Sequence, residues 1–421
     1  MNVPSSFASP FAPTAPTSPA AAGSGAAARI PGQRLLHSPG PTPIPDEVLA
    51  AMHRQSMDLA DPRLDRIIEA CETGLLALLD APGCDIYQYA ANGHGAWEAT
   101  IANLVAPGRA VLVPGTGHFS ESWAIQTEAL DRKVVRVPWR PGYPIDPQAV
   151  EDVLRADTAG EISAVFVVHT DTASSVSNDL AAIRAAIDAA GHPALMVVDV
   201  VASLGAAPYS MRALRADVTI GASQKGLMLP AGLGFVAVGP RAEAVARANP
   251  TPRFYWDWRR RRDAIGYRKF CGTPPQQMLM GLEASLALIF REGVEQVLAR
   301  HARLAGAVHA AVAAWSEGGA IDFFCKVPQA RSVSVTTISV AEGVEPEAIR
   351  SLARERFQVA AAGGLGPLAG KAFRIGHLGD QNEATILGAL GGIEAALRAL
   401  GIPVGPGVAA AVAALGAAQR T

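Results

Sequence analysis

Cysteine is scarce: four residues, Cys71, Cys84, Cys271 and Cys325, in a chain of 421. They are too few and scattered to staple a chain this long and fall at no metal-ligand spacing. A disulfide scaffold and a metal centre are therefore not expected, and a reducing cytoplasm fits best. An excess of one charge is missing too. Lys and Arg number 36 against 38 Asp and Glu, a net charge of −2; without the basic surplus that a phosphate backbone demands, nucleic acid is not an expected partner. No apolar run approaches the roughly 20 residues of a membrane helix, and the longest, Ala194 to Gly205, is broken by Asp199. A GxSxG elbow, a P-loop and a complete GxGxxG are also absent. What is present is an Ala-rich chain, 49% hydrophobic and 18% charged, long enough for two or three domains at about 150 residues each.

Residues 1–32 hold Pro4, Pro10, Pro13, Pro16, Pro19 and Pro31, a single Arg and no acidic residue. Such a stretch cannot bury enough apolar surface to offset its ordering entropy, so a disordered extension is expected. It lacks the basic start and unbroken apolar run of a signal peptide, and it is too Arg-poor for a transit peptide.

Beyond Pro45 the pattern alternates. Apolar residues at three- and four-residue spacing predict helices over Asp46–Met57 and Arg63–Leu79, and later over Phe119–Leu130, Pro147–Arg155 and Leu180–Ala190. Between them lie β-rich runs: Ala110–Val113, Val134–Val137, Ile162–His169, Ala194–Asp199, Asp217–Ile220 and Phe235–Val238. Continuous apolar strands separated by helices imply an α/β architecture with a mainly parallel sheet covered on both faces. From Pro274 to Trp315 the helical period is broken only at Gly293; then strand-like Val333–Val340 and Phe373–Gly376 alternate with helical Glu345–Phe357 and Asn382–Leu400. The change of rhythm divides the chain into a large domain with an N-terminal arm over residues 33–294 and a smaller α+β domain over 295–421.

Ligands of open α/β sheets gather at the carboxyl ends of strands. One strand ends in Asp199, a carboxylate at the edge of an apolar layer that needs a cationic or hydrogen-bonding partner. The next runs into Gly221-Ala222-Ser223-Gln224-Lys225-Gly226, a small-residue loop with one lysine. Desolvation there lowers the lysine pKa and favours an amine that forms a Schiff base. A lysine of this kind and an acid facing a pyridinium nitrogen are what pyridoxal phosphate requires; by themselves the two residues are equally compatible with a surface salt bridge. Asn92-Gly93-His94 opens a helix whose free N–H groups suit a phosphate or form an ordinary N-cap. Phe119 could lie on a ring face or be a core aromatic, and the strand end His169-Thr170-Asp171-Thr172 offers hydroxyls. Arg374, alone in a strand-like run, suits a substrate carboxylate or a structural ion pair. His301 and His309, eight apart, read as a same-face surface pair, and Arg259–Arg262 as a solvated loop between Asp257 and Asp263.

Taken together the chain resembles the class V (fold type I) aminotransferases, most closely the serine–glyoxylate and alanine–glyoxylate group. The resemblance runs from Ser38-Pro39-Gly40-Pro41-Thr42 to the C-terminal helix and is carried by Val198–Gly205, Gly221–Pro230, Thr273-Pro274-Pro275, Ala369-Gly370-Lys371 and Phe373–Gly379. It implies a homodimer with shared active sites, a seven-stranded-type sheet, and pyridoxal phosphate linked to Lys225 with Asp199 at the pyridine nitrogen. It also implies Asn92, Gly93, His94 and Gln224 at the phosphate, Phe119 on the ring, Thr172 at its hydroxyl, Thr273 reaching the phosphate from the neighbouring subunit, and Arg374 on the substrate carboxylate. The implied reaction passes an amino group from a small amino acid, serine first, to glyoxylate or a similar 2-oxo acid. Alternatives are alanine, aspartate, 3-hydroxyaspartate or pyridoxamine as donor with pyruvate as acceptor, or a noncatalytic cofactor-binding relative. The departures are Pro43 where relatives carry Asn, Thr170-Asp171-Thr172 where they often read Asn-Glu-Thr, and Phe270 where a tyrosine commonly stands.

Overall fold

The computed structural model describes residues 31–418; all but the last two residues of the expected N-terminal extension lie outside them. Along the chain the strands are β1 (Leu35–His37), β2 (Asp85–Tyr89), β3 (Ala110–Pro114), β4 (Lys133–Val137), β5 (Ile162–Val168), β6 (Thr170–Asp171) and β7 (Val176–Ser177). There follow β8 (Leu195–Asp199), β9 (Val218–Ala222), β10 (Gly234–Val238), β11 (Ile321–Phe323), β12 (Val335–Val340), β13 (Val359–Gly363) and β14 (Ala372–Gly376).

Seven strands form the main sheet in the order β2-β10-β9-β8-β5-β3-β4. Every pairing from β9 to β4 is parallel, and β10 runs against both of its neighbours. The apolar runs are continuous because both faces are covered. Alternation along each strand divides them between two cores: Val165, Val167, Met196 and Val198 pack on one face, and Ala164, Phe166, Leu195 and Val197 on the other. The first face is closed by helices Pro62–Leu78 and Gln276–Glu292, the second by Gly93–Leu104 and His118–Ala129. Asp199 shares the parity of Leu195 and Val197, so its side chain turns toward the Gly93–Leu104 helix.

A second sheet, β1-β13-β14-β12-β11, has its own core against helices Val294–Ser316, Pro346–Phe357 and Glu383–Ala399. The first strand of the described residues belongs to this sheet: β1 pairs in parallel with β13. The following residues, Ser38–Thr42, then cross to the main sheet, where Thr42 Oγ1 donates to the Lys225 carbonyl at 3.0 Å.

Three expectations need correction. The first helix stops at Met52 because the chain beyond it is held elsewhere, Met57 N donating to Gln276 Oε1 at 2.7 Å. Arg259–Arg262 is helical, and Arg261 is 2% exposed, its guanidinium donating to the carbonyls of Tyr255, Gln88 and Lys269. His301 and His309 do not form a surface pair: His301 is buried between Val297 O and Gly379 N, and half-buried His309 packs edge-on against Phe323 and His377. Among the described residues no helix is long and apolar enough to cross a membrane, and no group of three or more His, Cys, Asp or Glu could hold a metal ion.

Candidate active site

Strands β3, β5, β8 and β9 end on the same edge of the main sheet, and the residues following them enclose a cavity of about 250 Å³. Lys225, Asp199, Gln224 and Thr172 line it from the strand ends; Asn92, Gly93, His94 and Phe119 line it from two helix starts. Eight residues scattered over more than a hundred positions thus meet in one place. Two candidates lie off the wall. Arg374 stands behind it on β14, its Nη1 donating to Thr172 O at 2.9 Å, and Thr273 is exposed outside the cavity.

Lys225 sits in the tight loop after β9. The next residue, Gly226, is pressed on the carbonyl of Leu204 so closely that a Cβ would collide with it. The lysine is buried, and its Nζ donates to Pro39 O in the segment crossing from β1. Gly40 there has φ +129°, and a Cβ on it would fall 2.5 Å from Lys225 Cδ, so this position requires glycine both for backbone freedom and for space. Burial, and then the Arg374 guanidinium, bring the Lys225 pKa down to about 7; Asp199 and Asp171 oppose the fall.

Asp199 is buried at the end of β8. Its Oδ2 accepts from Trp97 Nε1 at 2.7 Å and its Oδ1 from Val201 N at 2.7 Å. Burial raises its pKa to about 6, while the Val201 and Trp97 donors and Lys225 hold it down. The carboxylate is therefore oriented, and a further positive group beside it would favour its charged form.

The helix Gly93–Leu104 starts at Asn92, whose side chain accepts from His94 N at 3.1 Å and Gly95 N at 3.3 Å. His94 leans on Trp97, ring centroids 4.6 Å apart, and burial lowers its pKa. Phe119 stands at the start of the next helix, edge-on to Trp97 at 6.4 Å. Gln224 Oε1 is buried with no partner. Arg374 spends Nε on Gly363 O at 2.7 Å and one Nη1 hydrogen on Thr172 O; burial lowers its pKa to about 10.

The family-wide comparison matches residues 34–367 to the model described as aminotransferase class-V. The chain belongs to the class-V aminotransferases. Within this family it is 40% identical over 395 residues to the serine–glyoxylate aminotransferase of Methylorubrum extorquens, covering 92% of this chain and 97% of the relative. It is 38% identical to the L-aspartate–glyoxylate aminotransferase of Paracoccus denitrificans, covering 90% and 95%. A solved ureidoglycine–glyoxylate aminotransferase from Bacillus subtilis superposes with a TM-score of 0.82 at 26% identity, over 94% of this chain and 99% of that one. For a class-V aminotransferase, an amine and an acid on one cavity wall are the groups the chemistry asks for.

Sequence reasoning passed over three residues of this neighbourhood. Trp97 lies one helical turn beyond Gly93 and donates to the strand-end acid; its place in the helix opening the candidate anion site was the available signal. Pro39 acts through its carbonyl on a lysine far along the chain, and the Asp171 carboxylate meets main-chain amides, so no side-chain motif marks either role. Phe270, at the position of a common tyrosine, is buried in the main core.

Proposed function

We propose that this chain is a pyridoxal-phosphate-dependent aminotransferase that passes the amino group of a small amino acid, serine first, to glyoxylate or a similar 2-oxo acid. The observation that carries this reading is the buried amine of Lys225, with a pKa near 7, in the same cavity as the oriented carboxylate of Asp199. The residues present fit the cofactor. Gly93 N, which the Asn92 cap leaves free, and the NH2 of the Gln224 amide would donate to its phosphate; Asp199 suits its ring nitrogen; Val201, Ala202 and Phe119 offer apolar surface to its ring.

When bound, pyridoxal phosphate supplies an aldehyde that links to amines and a ring that takes up the electrons released as a Cα–H bond breaks. The chain supplies the rest. With its pKa near 7, a good part of the Lys225 amine is unprotonated at neutral pH and able to take a proton from the substrate Cα and return one. Asp199 holds a proton at the ring nitrogen. Arg374 retains the second Nη1 hydrogen and both of Nη2 for the carboxylate that amino donor and oxo acceptor share. The Ser38–Thr42 segment covers Lys225 and keeps water from it.

The serine–glyoxylate relative, 40% identical, supports serine as the first donor. The two glyoxylate-using relatives support glyoxylate as acceptor. A homodimer belongs to the same reading, with exposed Thr273 reaching the phosphate of the other subunit, as does a reducing cytoplasm, in keeping with four unpaired cysteines. The test is to add serine, alanine, aspartate and pyridoxamine singly to the purified, cofactor-loaded protein and follow its visible absorbance, with glyoxylate or pyruvate as acceptor. Conversion by serine and recovery with glyoxylate is the expected result; no conversion by any donor would overturn the aminotransferase assignment.

A further inference from the structure

We propose that Asp171 is a positioning residue that holds the aromatic wall of the cavity, at Phe119, in register with Arg374, which stands behind the wall at Thr172. Asp171 is fully buried on β6, and its carboxylate meets backbone amides rather than a cation: Oδ2 accepts from Phe119 N at 2.7 Å, Oδ1 from Ala173 N at 2.8 Å and Ser174 N at 3.1 Å.

The first bond belongs to the helix His118–Ala129. That helix begins at Gly117, which has no side chain with which to satisfy the free N–H groups of the first turn. Asp171 does so from another loop, at the end of the helix where a negative charge is favourable. The approach is close enough that a Cβ on Gly117 would fall 2.5 Å from Asp171 Cγ. The glycine and the aspartate therefore specify each other, and the ring of Phe119 is fixed by the bond its own amide makes.

The other two bonds shape the turn after β6, and that turn is where the second sheet docks. Thr172 O accepts from Arg374 Nη1 at 2.9 Å, and Ala173 O accepts from Thr337 Oγ1 at 2.9 Å. Ser175 Oγ accepts from Thr337 N at 3.1 Å. Thr337 and Arg374 are direct cross-strand partners on β12 and β14. One carboxylate thus shapes the turn that receives both members of this pair and, through Phe119 N, the opposite wall. Thr172, whose side chain lines the cavity, is carried between them.

Asp171 also acts on charge. Lys225 is faced by Asp199 from β8, by Arg374 from β14 and by Asp171 from β6; the two acids raise its pKa and the arginine lowers it. Removing the Asp171 charge therefore lowers the Lys225 pKa further.

The proposal rests on the aminotransferase reading for its kinetic consequences but not for its electrostatic one, so the test has two arms. In cofactor-loaded protein, Asp171→Asn should raise KM for amino donor and oxo acceptor together by roughly tenfold, the scale of one charge-assisted hydrogen bond, with a smaller change in kcat. Gly117→Ala, which displaces the carboxylate without neutralising it, should raise both KM values in the same way. In cofactor-free full-length protein, acetylation of Lys225 against pH, read by peptide mass spectrometry, should show a lower midpoint in Asp171→Asn and little change in Gly117→Ala. KM values within twofold of the parent in both variants, or an unmoved Lys225 midpoint in Asp171→Asn, would overturn the proposal. Should Asp171→Asn not fold, the Gly117→Ala KM values decide it alone. A shifted midpoint in a protein without transamination of any donor would sink the functional reading and leave Asp171's effect on Lys225 standing.

Discussion

Trp97 gives its indole N–H to the buried carboxylate of Asp199 across 2.7 Å, joining a helix start to a strand end. The bond favours the ionised acid and opposes the burial that raises its pKa to about 6. Trp97→Phe keeps an aromatic ring but removes the donor, so Asp199 becomes a weaker acid and a poorer partner for a positive ring nitrogen. Loss of a hydrogen bond to a charged group costs about 1.5–3 kcal/mol. Titration of the cofactor-free variant with pyridoxal phosphate, followed by visible absorbance, should show at least tenfold weaker binding.

Lys225→Ala removes the amine that moves the proton at Cα. General acid–base catalysis by one side chain contributes roughly 10²–10⁴-fold, and steady-state turnover should fall by at least that factor. A variant with full activity in a coupled assay of glyoxylate consumption would exclude Lys225 from the chemistry.

Arg374→Lys keeps the charge and loses the planar fork. Its KM for donor and acceptor should rise together, by roughly ten- to a hundredfold, with kcat less affected. Unchanged KM for both would make Arg374 a purely structural link to Gly363 and Thr172.

Gly40→Ala places a methyl 2.5 Å from the Lys225 Cδ at a φ of +129°. Overpacking costs about 1–3 kcal/mol, and the collision falls on the reactive side chain. The variant should lose activity together with a few degrees of Tm in a thermal melt.

Acid should destabilise the second sheet first. His37, His301, His309 and His377 are clustered there, and burial lowers the pKa of each, to about 4 for His301 and His309. Unfolded histidines titrate near 6.5, so protonation favours the unfolded chain. Their contribution is complete above pH 6.5 and is lost as pH falls toward 4. Asp199, Asp217 and Glu72, whose pKa values burial raises, work the other way, and buried His169, lowered to about 4, works with the four. Urea midpoints measured at pH 7.5, 6 and 5 should fall in that order, and His309→Gln should reduce the slope. A flat profile would show that these imidazoles do not control acid stability.

The central strands were legible because burial on both faces writes them as unbroken apolar runs, and the strand ends exposed Asp199 and Lys225 for the same reason. The edges were not. Asp85–Tyr89 mixes polar and apolar residues because its outer side is partly open, and Val359–Gly363 is rich in alanine, which carries no strand signal. Arg261 was misread because a run of arginines signals solvent, whereas this one is neutralised by carbonyls as far away as Gln88. Asp171 stayed hidden for a related reason: its partners are main-chain amides, which no side-chain motif records.

The pairing of β1 with β13 has a consequence for how the protein is made. His37 Nδ1 meets Gly376 O, 339 positions further on, and the neighbouring Pro39 and Gly40 complete the enclosure of Lys225. During synthesis β1 has no partner until β13 has been made. The main sheet, whose last strand ends at Val238, can therefore fold before the Pro39–Gly40 cover over the lysine is anchored to the second sheet.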